Sequence, residues 1–566
     1  MDNSTTTGVV PDQKAWWKEA VFYQIYPRSF NDSDGDGIGD IQGIIEKVPH
    51  LDDLGVDAVW LNPVYESPQA DIGYDISDYR AINPEYGSME AWDELLSTLH
   101  DHDIRLIMDL VVNHTSEEHN WFKQSRAGTG KYADYYYWRS SDDGYPNNWE
   151  SYFDVPAWTF EETREEYYLH LFASEQPDLN WTNPDVREEV FDIVDWWLDR
   201  GIDGFRMDVI NVISKAAGLP DGDPDSDHVG AEHFLNGPKL HEYLTELDEE
   251  GFGDHRDEMV AIGECSNIDP ETAIDVTGRK SSAIDMTIFF EHVELDRKNG
   301  WEYEEWELSE LKSIMSKWQD AVEDGTWVCL YHSNHDQPRG ISRFGDPDEH
   351  RYESATMLAV WLHGHKGTPF VYQGEEIGMS NVTFESPADL DDVWAQNHWE
   401  NERLAGKEFD EIRPDFERFS RDNARTPVQW SDEQYAGFST AEPWLSVDTD
   451  YETVNVAADR ARDRSVFEFY SDLIELRSGN DVLSYGQFEM LSPEDEAVYA
   501  YRRVLDGADH EFLVVCNFTG EETSFQIPPE MTYDTAEVAL ANLESPPTAP
   551  DSVELRPYEA VIYRLA

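Results

Sequence analysis

The chain is poor in cysteine and in basic residues, and each shortage excludes a class of protein. Its 566 residues include 3 cysteines, which lie far apart at Cys265, Cys329 and Cys516. They cannot form a disulfide framework, so we expect a reducing, cytoplasmic location. Lysine and arginine number 41 against 119 aspartates and glutamates. A surface for nucleic acid or for an anionic membrane is therefore not expected.

The sequence also lacks the apolar segments that membrane insertion and export require. No hydrophobic run approaches the roughly 18 residues of a membrane-spanning helix. Residues 1–5 begin neither a basic and apolar signal peptide nor a twin-arginine signal. We expect no membrane association, and either a monomer or a homo-oligomer.

The formal net charge of −78 is spread over the whole chain. Disorder does not explain it, because the sequence is rich in aromatic residues and well patterned. So acidic a surface repels itself in dilute salt. Molar salt shortens the screening length to about 3 Å and removes most of that repulsion. The charge therefore predicts an enzyme of a halophile.

Short apolar runs alternate with amphipathic stretches along most of the chain, which predicts an α/β fold with a parallel sheet. Eight such runs predict a (β/α)8 TIM barrel. The runs are Val21–Tyr26, Val56–Leu61, Arg105–Val111, Gly204–Val209, Met259–Gly263, Ala283–Ile288, Trp327–Tyr331 and Pro369–Tyr372.

Two insertions and a change of pattern indicate further domains. We expect the barrel to comprise residues 1–114 and 179–484, with a subdomain at 115–178 after the third strand and a long excursion at 377–432. Residues 485–566 switch to short alternating strands with turns between them, which predicts an antiparallel β-sandwich. Its predicted strands are Ala497–Val504, Glu511–Phe518, Thr523–Ile527 and Val553–Leu565.

Three carboxylates follow predicted strands: Asp208, Glu264 and Asp336. An acidic residue at a strand end is most often a helix cap, but three in barrel order converge on one pocket. Arg206 shares a strand face with Asp208 and should lower its pKa, which keeps that carboxylate ionised. Glu264 ends an apolar strand, where poor solvation should raise its pKa as a general acid requires. Such a pair predicts cleavage of glycosidic bonds, and Asp336 would bind sugar hydroxyls.

Residues 32–40 alternate carboxylates with glycines, as cation-binding loops do. Side-chain oxygens at the first, third, fifth and ninth positions, with a carbonyl at the seventh, can surround a hard cation. Gly43 stands at the twelfth position, where an EF-hand requires glutamate. The loop is therefore a cation site of another kind, or a solvated acidic turn.

These motifs resemble glycoside hydrolase family 13, the α-amylase family, and within it the oligo-1,6-glucosidase and α-glucosidase group. The resemblance extends from residues 16–27 to the C-terminal β domain and includes DLVVNH at 109–114, GFRMD at 204–208, Glu264 and HD at 335–336. It implies that Asp208 is the nucleophile, Glu264 the acid/base and Asp336 the transition-state stabiliser. It implies no organic cofactor.

The resemblance also implies the residues that contact substrate and metal. The terminal glucose would be bound by Asp71, Tyr74, His114, Arg206, His335 and Arg425, with Arg421 the less favoured alternative to Arg425. One structural calcium ion would be held by Asp32, Asp34, Asp36, the carbonyl of Ile38, and Asp40.

Bond specificity is predicted from the residue after the nucleophile. Relatives that prefer α-1,6 links tend to carry valine there, as this chain does at Val209, although valine is also a common strand residue. The resemblance implies an exo-acting enzyme on disaccharides or short oligosaccharides, preferring α-1,6 links, with α-1,4 links or sucrose as other substrates.

Two alternatives share the barrel. A sucrose isomerase or transglucosidase would use the same three carboxylates, but the isomerase segment Arg-Leu-Asp-Arg-Asp reads ELDRK at 294–298 here. A non-catalytic, transporter-associated barrel is a remote alternative, because such proteins lack part of the triad.

Overall fold

A computed structural model describes residues 14–140, 144–277 and 283–566. Residues 1–5, on which the expectation about export depends, lie outside this range. Eight parallel strands form one sheet. They are β1 (Phe22–Ile25), β2 (Ala58–Leu61), β3 (Arg105–Val111), β4 (Gly204–Asp208), β5 (Val260–Glu264), β6 (Met286–Ile288), β7 (Cys329–Leu330) and β8 (Thr368–Tyr372).

The sheet closes into the predicted barrel. Its strand order is β6-β5-β4-β3-β2-β1-β8-β7, and a parallel bridge between Thr287 and Val328 joins its two edges. All eight predicted strands are confirmed, most of them one to three residues shorter at an end. Strands such as β1 and β2 are buried along their whole length, which explains their continuous apolar sequence.

Helices surround the barrel and begin and end at recognisable residues. Asp40 caps the helix Ile41–Leu54 by accepting the Gly43 N–H, and Gly55 ends it at φ 88°. The other large helices are Met89–Asp101, Pro184–Arg200, Leu240–Glu246, Pro270–Thr277, Leu308–Asp324, Arg351–His363 and Val466–Arg477. Within the described ranges no helix has the length and apolar character to cross a membrane.

Register places charged residues of the inner barrel side by side. On β3 and β4, Asp109 pairs with Arg206 and Val111 with Asp208. On β5, Ile262 pairs with Arg206. The charges that meet at the barrel mouth are thus fixed by the strand pairing.

Two segments add structure beyond the barrel strands. The first contains the helix Asn120–Ser125 and a three-stranded sheet of Trp138–Arg139, Trp158–Glu161 and Glu166–Leu169. The second, after β8, contains the helices Val393–Leu404 and Phe409–Phe419. Trp394 of the second segment donates a hydrogen bond to Asp154 of the first (2.9 Å), so the two segments meet.

The C-terminal region forms two antiparallel sheets around an apolar core. Its strands are β9 (Gln487–Leu491), β10 (Val498–Val504), β11 (Glu511–Asn517), β12 (Thr523–Gln526), β13 (Ala536–Ala541), β14 (Ser552–Leu555) and β15 (Ala560–Leu565). The single strand predicted over Val553–Leu565 is wrong: it is two strands in different sheets. A turn at 556–559, held by the Arg556–Glu559 ion pair, separates them. β9 and β13 were not predicted.

Candidate active site

A cavity of about 400 Å³ lies at the carboxyl ends of the barrel strands. Its walls include seven of the sequence-predicted site residues: Asp71, Tyr74, His114, Asp208, Val209, Glu264 and Asp336. Three others, Arg206, His335 and Arg425, are buried behind that wall and contact the residues that form it. The structure therefore brings together the ten residues predicted to contact substrate.

Arg206 is the centre of a cluster of buried charges. Its Nη1 lies 2.6 Å from Asp109 Oδ1 and 2.9 Å from Asp208 Oδ1, and its Nη2 lies 2.6 Å from Glu264 Oε2. Asp109 also accepts a hydrogen bond from Trp60 Nε1 (2.8 Å). One cation thus faces three carboxylates.

The pKa values of Asp208 and Glu264 both rise. The rise for Glu264 was expected, but the rise for Asp208 corrects the expectation that Arg206 would hold its pKa down. Burial raises the pKa of each carboxyl, and Arg206 lowers each. Glu264 and Asp109 raise the pKa of Asp208 further, while a hydrogen bond from Asp208 lowers that of Glu264. The two groups interact directly and titrate as a pair.

The backbone at Val209 is strained. Its φ of 37° lies in the left-handed region, where a β-branched residue is a genuine outlier. This conformation directs the Val209 N–H to Glu264 Oε2 at 3.1 Å. Strain of this kind is stored at functional sites, and here it positions the second carboxylate of the pair.

Asp336 is surrounded by cationic and neutral donors. Its Oδ1 accepts from Arg421 Nη1 (3.0 Å) and Arg425 Nη2 (2.9 Å), and its Oδ2 lies 3.0 Å from His335 Nε2. Burial raises the pKa of Asp336, but His335, Arg421 and Arg425 together lower it well below its usual range. This carboxylate remains ionised.

Arg421, which the sequence analysis placed second to Arg425, lines the cavity itself. It reaches Asp71 Oδ1 (3.4 Å) as well as Asp336, and it pairs with the fully buried Asp392. Arg425 lies behind the wall and donates from Nε to the His335 carbonyl (2.9 Å). Both arginines thus hold Asp336, and Arg421 is the one that lines the cavity; the predicted contact of Arg425 with substrate stays a prediction.

Tyr74 lines the cavity, and His335 lies buried behind it. Their rings stack at 5.4 Å and 11°, and Tyr74 Oη lies 2.7 Å from His335 Nε2. Gln24 Nε2, a donor, lies 2.9 Å from the other ring nitrogen, so the neutral ring carries its proton on Nε2. Burial lowers the pKa of His335, and likewise that of His114, to about 4. Both are neutral near pH 7 and can hydrogen-bond sugar hydroxyls.

The predicted cation loop brings three of its carboxylates together. Ligand oxygens of Asp32, Asp34 and Asp40 lie within 4.8 Å of one another. Asp36 is not in this group; its Oδ1 accepts the Ile38 N–H at 2.9 Å. Three converging carboxylates fit a hard cation.

Close packing requires glycine at two positions of this loop. A Cβ on Gly35 (φ 83°) would lie 2.4 Å from Thr440 Oγ1, and one on Gly37 (φ 96°) would lie 2.3 Å from the Glu442 carbonyl. The loop is thus held against a distant segment of the chain, which fits a structural role.

Asp392, Asp154 and Trp394 are functional candidates that the sequence analysis missed. Asp392 is buried beside Arg421, and the other two lie in the cavity wall. They belong to the insertion and the excursion, whose irregular sequence does not indicate which side chains face the cavity. The one available signal was the pair Arg421 and Arg425, two cations four residues apart in the excursion that require buried acidic partners such as Asp392.

Carboxylates paired around a cation at the mouth of a (β/α)8 barrel define a glycoside hydrolase, and the comparisons agree. The alpha-amylase catalytic domain profile matches residues 24–486, and the maltogenic amylase C-terminal domain profile matches residues 488–562. The chain belongs to the α-amylase family.

Relatives of known sequence and structure cover nearly the whole chain. The oligo-1,6-glucosidase of Bacillus cereus is 46% identical over 98% of this chain and 100% of its own. The trehalose-6-phosphate hydrolase of Bacillus licheniformis has a TM-score of 0.92 at 42% identity, over 98% and 100% of the two chains. The trehalulose synthase from Pseudomonas mesoacidophila has a TM-score of 0.93 at 39% identity, with the same coverage.

Proposed function

We propose that this enzyme is a retaining, exo-acting α-glucosidase that releases terminal glucose from short α-1,6-linked oligosaccharides. The sharing of one guanidinium supports retention most directly, since Asp208 lies 2.9 Å from Arg206 Nη1 and Glu264 lies 2.6 Å from Arg206 Nη2, which holds the two carboxyls at close range. An inverting enzyme holds its two carboxyls about 6.5–9.5 Å apart to admit water, whereas a retaining enzyme holds them about 5–5.5 Å apart.

In this mechanism Asp208 is the nucleophile and Glu264 is the general acid and base. Asp208 attacks the anomeric carbon as Glu264 gives its proton to the leaving oxygen, which forms a glucosyl-enzyme and frees the leaving sugar. Water then gives a proton to Glu264 and attacks the anomeric carbon, which releases glucose and restores Asp208. Arg206 and the strained Val209 N–H position Glu264.

The opposite side of the cavity would bind the terminal glucose. Asp71, linked to His114 through Gln176 (3.1 Å to each), and Arg421 offer acceptors and donors for sugar hydroxyls. Asp336, kept ionised by its three partners, stabilises positive charge at the anomeric carbon in the transition state. An end enclosed by these side chains supports exo action.

The charge of the cavity favours uncharged sugars. Among the residues that the structure describes, its walls carry seven carboxylates but only two arginines, Arg297 and Arg421, and no lysine. A phosphorylated sugar would meet this excess negative charge, so we do not assign the substrate of the trehalose-6-phosphate hydrolase relatives to this enzyme. Neutral glucosides fit best.

The linkage is tested by product analysis with isomaltose, maltose and sucrose as separate substrates. We expect free glucose, fastest from isomaltose, because the chain is 46% identical to an oligo-1,6-glucosidase and carries Val209 directly after the nucleophile. New disaccharides in place of glucose would support the second candidate, a glucosyl-transfer enzyme, which the structural similarity to trehalulose synthase keeps open. Val209→Ala should reduce the isomaltose-to-maltose preference by about tenfold or more, since a change in pocket shape is worth roughly 1–3 kcal/mol.

We also propose one calcium ion at the loop of Asp32, Asp34 and Asp40, and an enzyme adapted to high salt in a reducing cytoplasm. The converging carboxylates support the first proposal, and the net charge and the three free, buried cysteines support the second. A chelator should lower Tm without changing kcat well below Tm, and Tm should rise with potassium chloride concentration.

A further inference from the structure

Of the tryptophans in the part of the chain that the structure describes, Trp394 is the one that lines the catalytic cavity. It belongs to the helix Val393–Leu404, which begins after Asp392. Because Asp392 pairs with Arg421, the start of this helix is tied to the side of the cavity proposed for the terminal glucose. Trp394 follows two residues later.

Two separate chain segments hold the Trp394 indole. Its Nε1 donates to Asp154 of the insertion at 2.9 Å. Its ring lies against Gly300, where an added Cβ would approach within 2.6 Å, and it packs on Trp301 at 4.6 Å. Two further hydrogen bonds join the same helix to the insertion, from Asn397 Nδ2 to the Phe153 carbonyl (3.0 Å) and from Asn401 Nδ2 to the Asp154 carbonyl (3.3 Å).

We propose that Trp394 is the binding platform for the leaving-group sugar and that Asp154 is the residue that positions it. This inference rests on the proposed function. An indole face offers an apolar surface to the C–H groups of a sugar, while its N–H is held at the rim. Gly300, at φ 79°, lets the ring lie flat against the wall because no side chain intervenes.

Asp154 is suited to this task by its backbone as well as its carboxylate. It lies at φ 59°, a left-handed conformation that aspartate and asparagine tolerate better than other side chains. Asparagine at this position would keep both the conformation and an acceptor oxygen for the indole N–H. Alanine would lose both.

The test compares two substrates that differ in the leaving group alone. α-Glucosyl fluoride has a leaving group too small to reach Trp394, whereas isomaltose places a sugar there. For Trp394→Ala we expect kcat/KM on isomaltose to fall about tenfold, mainly through KM, with α-glucosyl fluoride within about twofold of wild type, because only isomaltose loses a contact with the indole. Asp154→Ala should show a smaller loss of the same pattern, and Asp154→Asn should restore the wild-type ratio.

Trp399→Ala is the matched control, because this tryptophan of the same helix packs on Phe409 (5.4 Å) and does not line the cavity. It should leave the ratio of the two substrates unchanged. An equal loss on both substrates in Trp394→Ala, or no loss on either, overturns the platform. A wild-type enzyme that does not cleave α-glucosyl fluoride overturns the proposed function itself.

Discussion

The two sides of the cavity shift the pKa of a buried aspartate in opposite directions. Around Asp208, one arginine faces three carboxylates, and the pKa of Asp208 rises. Around Asp336, two arginines and His335 contact this carboxylate, the arginines being shared with Asp392 and Asp71, and its pKa falls. Burial raises the pKa on both sides, so the groups nearest each carboxylate decide the direction.

This difference matches the chemistry proposed for each side. The Asp208–Glu264 pair must hold a proton that moves during each half of the reaction, and a raised, coupled titration provides one. Asp336 must keep its charge through the cycle, and its direct contacts with Arg421, Arg425 and His335 ensure this. In the sequence, Asp208 and Asp336 are both aspartates near the end of a predicted strand. The arginines that distinguish them come from different parts of the chain: Arg206 belongs to β4, whereas Arg421 and Arg425 belong to the excursion after β8.

The largest effect is expected from removing either member of the pair. Asp208→Asn should reduce kcat on every substrate by at least about 10⁴-fold, because no covalent intermediate can form. Glu264→Gln should cost about 10²–10⁴-fold on isomaltose, the usual contribution of a general acid. With α-glucosyl fluoride, whose leaving group needs no proton, Glu264→Gln should still form the intermediate as a rapid burst of fluoride. Equal behaviour of the two variants with fluoride would remove the distinction between nucleophile and acid.

A smaller effect is expected from taking a cation from the Asp336 side. Arg421→Gln leaves the fully buried Asp392 without its main partner, which should cost about 3–5 kcal/mol of unfolding free energy at pH 7. The pKa of Asp336 should rise as well. A carboxylate with a lowered folded pKa stabilises the protein above its unfolded pKa and loses that contribution as pH falls. Urea unfolding from pH 7 down to about pH 3 should therefore show a constant deficit above about pH 5 and a shrinking deficit below it.

Arg403→Gln is the control for that experiment, because Arg403 pairs with Glu400 on the exposed surface. Exposed pairs contribute about 0–1 kcal/mol. A deficit for Arg421→Gln as small as that of the control would mean that the charges on this side are not coupled.

The smallest effect is expected from removing Asp109, which tests whether neighbouring negative charge raises the pKa of Asp208. Burial raises the pKa of Asp109 to about 6, and Asp109 in turn raises that of Asp208. Asp109→Asn removes one of the three carboxylates that share Arg206, so the pKa of Asp208 should fall. The acidic limb of the kcat/KM profile against pH should move down by about one unit. An upward shift would show that Asp109 acts by holding Arg206 in place and not by its charge.

Much of this architecture was predictable because it follows from local pattern. Eight buried parallel strands produce eight apolar runs; Asp208 and Glu264 end two of these strands, and Asp336 lies in the loop after a third. The sequence pattern did not predict strands correctly where the backbone conformation depends on contacts between distant residues. The split of Val553–Leu565 follows from the Arg556–Glu559 turn, and the edge strand β13 is only half-buried, so its alternation is weak.

The site could be predicted in its members but not in its charge balance. That Arg206 would face Asp208 follows from strand alternation, but its contact with Glu264 requires the β4–β5 register. The positions of Arg421, Asp392 and Trp394 depend on how the excursion folds back over the barrel, and no local periodicity records that path.

The most direct test of the account is to trap the glucosyl-enzyme with 5-fluoro-α-glucosyl fluoride and locate the label by peptide mass spectrometry. The account predicts one fluoroglucosyl group per chain, attached to Asp208, and none in Asp208→Asn. A label on Glu264, on Asp336 or elsewhere, or turnover of isomaltose with inversion and no covalent label, would contradict it.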